Sequence, residues 1–328
     1  MTSSLDSAIH IGKETTYGTP VTPTRSFEGM ADTFKRDQAR LESTGMRAGM
    51  QGVRSDRVVQ VNMGGTGSLE IDVLNKGMGM LLEGLTGTSG AVTQVAATSA
   101  YTQSHANSST GPSESFTVQV IRPIVDGSTQ QFTHHGCKPT GWNVSQDNTG
   151  LLKMGIDFDF EDVDTSTAAA SAAYPAATTP FAWPNAVVTI DSVEFAYATG
   201  FELNADLAMA TDRRYLSSTA PLKSAPVRSG LASFTGSIDS DFSALTEYTA
   251  WLAGTVTDLN VKWSMASDLI ESGYTYEFEL DMPAIHWTGE SPTASNSDLS
   301  KHPMPFTVLD NGTDAMVTIS VQSTDTAL

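Results

Sequence analysis

Cysteine, basic residues and long apolar runs are scarce in this sequence. Cys137 is the only cysteine, which excludes an intrachain disulfide framework and zinc modules built on several thiolates. The 37 acidic residues outnumber 18 basic ones, and the formal charge of -19 argues against sequence-independent binding to nucleic acid or anionic membranes. No run of 18 apolar residues is present, and residues 1–12 lack the basic and apolar segments of an export signal. We therefore predict a soluble chain without membrane insertion or export.

Catalytic and metal-binding patterns are also missing. Residues 64–67 are rich in glycine, but no Lys-Ser/Thr pair follows them, as a phosphate-binding loop requires. His134 and His135 are adjacent and would point to opposite faces of a strand, so they do not form a metal site with Cys137. The acidic residues from 157 to 164 lack the glycine and final glutamate of a helix-loop-helix calcium site, although weak surface binding of calcium stays open. We predict no enzyme activity, no cofactor and no specific metal site.

The residues that are present favour a mainly β fold. Serine and threonine make up about a quarter of the chain, and with 27 glycines they are typical of short strands joined by polar turns. Two segments, 153–161 and 274–282, alternate apolar and acidic residues and so have an apolar face and an acidic face. The acidic residues are Asp157, Asp159 and Glu161 in the first segment and Glu277, Glu279 and Asp281 in the second. They form either an ordinary solvated face or a functional surface.

The chain divides at a segment of small residues. Residues 165–182 contain mainly alanine, serine, threonine and proline, which indicates a linker, the alternative being an alanine-rich helix. We predict a first domain at 1–164, a linker at 165–182 and a second domain at 183–328.

The two predicted domains resemble each other in sequence. Residues 66–73 are matched by residues 235–242, at an offset of 169 residues. A short amphipathic helix follows each copy and is predicted to end near Gly84 and Gly254, and residues 116–124 resemble residues 276–285. We interpret this order as a duplication of a β-sandwich or barrel unit, the alternative being a chance match of Thr-Gly-Ser turns.

Ten of the 18 basic residues lie in two long polar loops, at 35–58 and 203–230. They are Lys35, Arg36, Arg40, Arg47, Arg54 and Arg57 in the first loop and Arg213, Arg214, Lys223 and Arg228 in the second. Loops of this length within a compact domain are usually functional or disordered. In so acidic a chain, a second copy offers a complementary surface, the alternative being loops that only balance local charge.

The segment from Ile11 to Thr24 resembles the opening of the major tail tube proteins of long, noncontractile-tailed bacteriophages. These often begin with a Gly-Lys/Arg-Glu-x-x-Tyr-Gly-Thr-x-Val-x-Pro-Thr arm. The residues of this chain that match the arm include Thr15, Tyr17, Gly18, Pro20 and Pro23. Close agreement is confined to the first 25 residues or so, and the remaining resemblance is one of architecture.

The resemblance implies a structural virion protein with two tandem tail-tube-like β-sandwich or barrel domains, each with one short α-helix and a stacking loop. It implies rings that stack into a tube for DNA passage during ejection, and a trimer with pseudo-sixfold symmetry is favoured over a hexamer. The ten basic residues would contact the next ring, the six acids are candidates for the lumen, and the arm would lie across a neighbour. The expected partners are further copies and the tape-measure, tail-tip and tail-terminator proteins. Assembly is expected in the cytoplasm of the host, with a final location in the virion tail.

Two other interpretations remain open from the sequence. One is the tube of a phage-derived secretion or delivery particle, which neighbouring genes would distinguish. The other is a β-sandwich surface-binding module, for which an export signal or an exposed aromatic cluster would be the expected feature.

Overall fold

The computed structural model describes residues 6–217, 221–289, 291–294 and 299–328. These residues form a mainly β fold of antiparallel sheets that do not close into a barrel, with two short helices. The residues before the predicted linker are called the first half, and those from residue 183 onward the second half.

The first half contains the strands β1 (Ala8–Lys13), β2 (Arg25–Phe27), β3 (Gly29–Asp32), β4 (Lys35–Arg36), β5 (Ala39–Glu42), β6 (Val58–Asn62), β7 (Gly65–Asp72), β8 (Thr93–Gln94), β9 (Tyr101–Ala106), β10 (Phe116–Pro123), β11 (Thr129–Asp147), β12 (Lys153–Phe160) and β13 (Asp162–Asp164). The second half contains β14 (Ala186–Ile190), β15 (Val193–Glu194), β16 (Ala198–Asp206), β17 (Met209–Ala210), β18 (Val227–Arg228), β19 (Ser233–Asp241), β20 (Val256–Glu271), β21 (Tyr274–Trp287), β22 (Lys301–Val308) and β23 (Thr318–Ser323). The helices are α1 (Gly79–Thr86) and α2 (Thr246–Ala253).

Alternating apolar residues place the core between two layers of strands in each half. In β12, Met154, Ile156, Phe158 and Phe160 are buried, as the alternation predicts. Phe158 contacts Phe116 of β10 edge to face, with ring centroids 6.4 Å apart, so β12 and β10 belong to facing layers. In the second half, Phe201 of β16 contacts Trp263 of β20 in the same manner.

The two halves share one continuous sheet. Residues Gly141–Asp147 of β11 pair antiparallel with Gly200–Asp206 of β16. The resulting order of strands is β4, β7, β12, β11, β16, β19, β22 and the end of β21. We call this the joined sheet. A further link is made by β9 of the first half, which pairs with β23 of the second.

The predicted linker is packed on the first half. Its residues 165–179 contain no helix or strand, so the alanine-rich helix is wrong. The buried Gln119 side chain donates to the carbonyl of Ala168 at 2.9 Å and accepts from the N–H of Ala170 at 2.7 Å. Ser26 also accepts the N–H of Ala173 through its hydroxyl. The segment is therefore an ordered strap across β10 and β2, not a free tether.

Strand pairings recur in the same order in both halves. The pairs β1–β10, β10–β11, β11–β12, β12–β7 and β7–β4 correspond to β14–β20, β20–β21, β21–β22, β22–β19 and β19–β16. The hairpin β5–β6 corresponds to β17–β18. In this correspondence β20, and not β21, is the counterpart of β10, so the predicted match between residues 116–124 and 276–285 is displaced by one strand.

Irregularities in the pairing recur as well. The β3–β7 ladder shifts its register between Gly29 and Ala31, and the β16–β19 ladder shifts between Ala198 and Gly200, again 169 residues later. The β10–β11 ladder shifts between Phe116 and Val118, and the β20–β21 ladder shifts between Thr257 and Leu259. Bulges are specific features of a fold, so their repetition at matched sites supports the correspondence between the strands of the two halves.

One of the two helices ends as predicted and the other does not. Gly254 follows α2 in the left-handed conformation, as predicted. In α1 the corresponding residue is Gly87, and Gly84 lies inside the helix instead. A Cβ at Gly84 would lie 2.2 Å from the Phe116 ring, so this glycine permits close packing and does not end the helix.

Candidate assembly surfaces

The hairpin of β5 and β6 projects from the fold. These strands pair only with each other among the described residues, and residues 35–53 are exposed throughout. Several large apolar side chains lie on the hairpin and its loop, including Leu41 at 64% exposure and Met46 fully exposed. A two-stranded ribbon cannot bury such residues itself, so this hairpin has the character of an interaction surface.

The basic residues of the first predicted loop are mostly available for contacts. Arg36 forms an ion pair with Asp162 at 2.9 Å, and Arg54 forms one with Asp56. No ion pair involves Lys35, Arg40, Arg47 or Arg57 within the described part of the chain. These four cationic side chains are exposed on or beside the hairpin, next to its exposed apolar residues.

The second predicted loop makes different contacts, because its basic residues bind within the chain. Arg214 donates to the carbonyl of Met63 at 2.9 Å, and Arg228 donates to those of Ser108 and Ser109 at 3.0 and 2.8 Å. Arg213 donates to Ala225 and Tyr215 in its own loop. The loop thus connects the second half to the first, and all four of its basic residues make hydrogen bonds within the chain, whereas four of the six in the first loop form no ion pair with described residues.

Lys223 and Asp159 form a buried ion pair between the halves. The side chains are 7% and 1% exposed, and the ammonium also donates to the Gly65 carbonyl at 3.2 Å. Burial raises the pKa of the Asp159 carboxyl, and the Lys223 ammonium opposes this shift. Asp159 is therefore not on a water-facing surface of the chain, unlike its neighbour Asp157, which is exposed.

Glu161 lies under the predicted arm. Its Oε2 is 3.8 Å from Nδ1 of His135, and a Cβ added to Gly18 would lie 1.8 Å from the same oxygen. Burial, followed by the carboxylates of Glu14 and Asp162, raises the pKa of Glu161 to about 7. The close approach to Gly18 requires glycine there, and its φ of +74° favours glycine as well.

The predicted arm packs on its own chain in this structure. Thr24 donates its N–H to Ile11, and Val21 donates its N–H to the Thr117 hydroxyl at 3.0 Å. Between these contacts the Tyr17 hydroxyl is buried without a hydrogen-bond partner among the described residues. Thr15, Pro20 and Pro23 therefore belong to a connection between β1 and β2, and they do not extend away from the fold.

Glu14 holds this connection in place. Its buried carboxylate accepts hydrogen bonds from the N–H groups of Gly18 and Gly136 and from the hydroxyls of Ser115 and Thr117, at 2.7–3.1 Å. Four donors satisfy the charged group, which explains how a carboxylate is tolerated in this buried position. The sequence pattern identified the segment but not this anchor.

The six predicted acidic residues do not share one surface. Asp157 lies on β12 of the joined sheet, whereas Glu277, Glu279 and Asp281 lie on the part of β21 that pairs with β20 and β23. Glu277 forms an ion pair with Lys262 at 2.7 Å, and Asn260 donates to Glu279 at 2.7 Å. The two sets lie on facing layers, so they point away from each other.

The outer face of the joined sheet carries a larger acidic surface than the sequence predicted. On β7, β12, β11, β16, β19 and β22 it presents small polar side chains, prolines, two lysines and no large apolar residue. Its exposed or half-exposed acids are Glu70, Asp72, Asp147, Asp157, Glu202, Asp206, Asp239 and Asp241. Lys153 and Lys301 bind Glu70 and Asp241. The alternation of Phe201, Leu203 and Ala205 with polar residues is the signal in β16 that sequence reasoning missed.

A comparison with protein-family models identifies the family of this chain. The model described as phage tail tube protein matches residues 4–321. The chain belongs to the phage tail tube protein family. Membership confirms the resemblance to tail tube proteins and gives the chain a structural role in a phage tail. Comparison with curated proteins finds no match.

Tail tube proteins in general associate with further copies and with other tail components, so surfaces for self-assembly are expected here. The described residues contain no cluster of three or more metal-ligating side chains. No helix in the described ranges has the length and apolar character needed to cross a membrane. The exposed hairpin and the acidic face are therefore the features of this family member that require a functional explanation.

Proposed function

We propose that this tail tube protein assembles into rings of three chains, that the rings stack into the tail tube, and that the outer face of the joined sheet lines its channel for DNA. The observation that carries the proposal is the continuity of this acidic face across both halves. A wall of eight acids with two lysines repels phosphate and offers DNA no counterion release, so the genome slides past it without adhering.

Repetition of the pairing scheme supports three chains with six similar units in each ring. The matched pairings and matched bulges favour an internal duplication, in which the domains at 1–164 and 183–328 descend from one unit. A hexamer of such a chain would place twelve units around the axis. The trimer gives pseudo-sixfold symmetry with both acidic half-faces on one wall.

The placement of the acids supports one of the two layers as the proposed channel wall. Asp157 belongs to the proposed wall, and Asp159 stabilises the joint between the halves. Glu161 lies under the connection from β1 to β2. Glu277, Glu279 and Asp281 lie on the opposite layer and so face the outside of the tube in this arrangement.

The hairpin of β5 and β6 is the proposed contact between successive rings. It combines exposed apolar residues with Arg40, Arg47 and Arg57, whereas Lys35 lies on the adjoining strand β4, and it lacks a strand partner among the described residues. One exposed ion pair contributes about 0–1 kcal/mol, so buried apolar area stabilises the stack and the charges select the register. The tape-measure, tail-tip and tail-terminator proteins would meet the ends of this stack.

Charge reversal on the two layers tests the channel assignment. The variant Asp157→Lys, Glu202→Lys, Asp206→Lys is expected to assemble but to eject DNA more slowly than the unmodified phage, because phosphates adhere to the lysines. The matched control Glu277→Lys, Glu279→Lys, Asp281→Lys changes the same number of charges on the opposite layer and is expected to eject normally. Slower ejection by the control alone would contradict the assignment.

A further inference from the structure

Among the residues that the structure describes, the joined sheet ends in two strand edges without partners. At one end, β3 and β4 pair only with β7 within the described ranges. At the other end, β21 pairs with β22 up to Trp287, and the N–H of Thr288 continues the ladder by donating to Pro305 at 2.9 Å. Thr293 then exchanges two backbone hydrogen bonds of 2.9 Å with Lys301. Unpaired edges of this kind accept a further strand.

The edge at Thr293 has a counterpart inside the chain. Between β11 and β12, Lys138 lies opposite Asp159 and Ser145 lies opposite Lys153. At the end of the second half, His286 lies opposite Thr307 and Thr293 lies opposite Lys301. Each residue of the second set follows its counterpart by 148 positions. The register shift between Pro139 and Gly141 is likewise repeated between Thr288 and Thr293. Residues 291–294 therefore correspond to 143–146 of β11.

The counterpart segment is the one that joins the two halves. Residues 143–146 pair with Phe201–Asn204 of β16. In the first half, β3 and β4 occupy the place of β16, because Lys35 lies opposite Thr66 as Asn204 lies opposite Thr235. Phe34 is buried like its counterpart Leu203. The edge at β3 and β4 thus matches the surface that residues 143–146 bind.

We propose that residues 291–294 of one copy pair antiparallel with residues 32–35 of a second copy, with Ser291 opposite Lys35 and Thr293 opposite Thr33. The proposal rests on the proposed ring and names the contact that closes it. The contact between halves within one chain is repeated between chains, so each ring has no open edge.

The side chains and backbone groups at this contact are compatible. Thr293 facing Thr33 is a favourable cross-strand pair. Pro292 would lie opposite Phe34 and has no N–H to donate, but Arg122 already donates to the Phe34 carbonyl at 3.4 Å. The proline also limits pairing with unrelated strands.

Cysteine pairs test the register. The two edges of one chain are separated by seven strand spacings, about 34 Å along the sheet, so a disulfide between them joins two copies. Leu207 donates its N–H to its opposite residue Thr140, which makes Asn143–Asn204 and Ser145–Glu202 non-hydrogen-bonded pairs. Such pairs have the short Cα separation that a disulfide requires. Cys137 is fully buried and does not interfere.

The variants Ser291→Cys with Lys35→Cys and Thr293→Cys with Thr33→Cys are expected to give, after oxidation, a denaturing-gel ladder that ends at three chains. The out-of-register controls Ser291→Cys with Thr33→Cys and Thr293→Cys with Lys35→Cys are expected to stay largely uncrosslinked. An equimolar mixture of chains with Ser291→Cys and chains with Lys35→Cys is expected to give dimers only.

Electron microscopy of the same samples distinguishes failure of this strand pairing from failure of the proposed function. Rings or tubes without crosslinks in the in-register variants would overturn this pairing while leaving the proposed function intact. Rings that crosslink preferentially in the out-of-register variants would do the same. Monomers at all concentrations would overturn the proposed function and the pairing together.

Discussion

Glu161 shows how one residue acquires an unusual protonation equilibrium from its surroundings. The titratable groups that face it are Glu14 from the connection after β1, Asp162 from β13 and His135 from β11, and Tyr17 covers it. The raised pKa means that the folded chain holds this proton up to about pH 7, whereas an unfolded chain loses it near 4.5. Its contribution to stability is therefore present at low pH and decreases as the pH rises from about 4.5 to 7.

Glu161→Gln is expected to stabilise the fold at pH 8 by up to about 3 kcal/mol, because the amide removes an unfavourable buried charge. At pH 4 the variant and the unmodified chain are expected to be equally stable. Chemical denaturation at the two pH values measures the difference, and Glu42→Gln on the exposed strand β5 is the control. A gain of the same size at both pH values would contradict this explanation.

The ion pair of Lys223 and Asp159 predicts a large loss of stability when one partner is removed. Lys223→Met is expected to cost about 3–5 kcal/mol, because Asp159 stays buried without its cation. Adding Asp159→Asn is expected to recover part of this loss. Denaturation of both single variants and the double variant measures the coupling between the two sites.

A half-exposed ion pair supplies the control for this measurement. Lys262→Met removes the partner of Glu277, at 38% and 24% side-chain exposure, and is expected to cost about 0–1 kcal/mol. Equal losses for Lys223→Met and Lys262→Met would show that the contact between the halves contributes no special stability.

At the scale of elements, the two polar hairpins have diverged although they occupy matched places in the strand order. The hairpin of β17 and β18 uses its basic residues to bind the first half, and the hairpin of β5 and β6 leaves most of its own exposed. The proposal for ring stacking therefore applies to the first hairpin alone. Arg214, Lys223 and Arg228 bind the first half in this structure, and Arg213 binds within its own loop.

The variant Arg40→Glu, Arg47→Glu, Arg57→Glu is expected to form rings that do not stack, because the hairpin would then repel an acidic neighbour. The fold is expected to be unchanged, since these side chains are exposed and make no ion pair with described residues. Negative-stain microscopy counts stacked and single rings. The control Arg40→Lys, Arg47→Lys, Arg57→Lys keeps the charge and should stack. Tubes of normal length from the glutamate variant would remove the hairpin from the contact.

Local patterns predicted the elements, and contacts distant in sequence set their roles. The alternation in β12 predicted its buried face correctly, because a strand facing a core repeats every two residues. The same alternation predicted that Asp159 faces water. Asp159 is buried instead, because its partner Lys223 comes from a loop 64 residues away. Proline favours extended structure, which indicated an arm across a neighbouring copy, whereas in this structure the buried Glu14 carboxylate binds the segment to its own chain through residues more than 100 positions away. No local signal carries such contacts.

At the scale of the whole molecule, the joined sheet explains how two similar halves act as one wall. Pairing of β11 with β16 aligns the outer faces of both halves, and the buried ion pair and the strap hold them together. The sequence predicted two units with a linker, but the strand edge that joins them has no distinctive composition. Its role in joining strands is recognised only when the two ends of the joined sheet are compared with the β11–β16 pairing at its centre.

The most direct test of the central claim is electron microscopy of tubes formed by the purified chain at rising concentration, at a resolution that separates the strands. The expected result is rings of three chains in which the outer face of the joined sheet, with Asp157, Glu202 and Asp206, lines the channel. Rings with Glu277, Glu279 and Asp281 on the channel wall, or chains that never assemble, would contradict it.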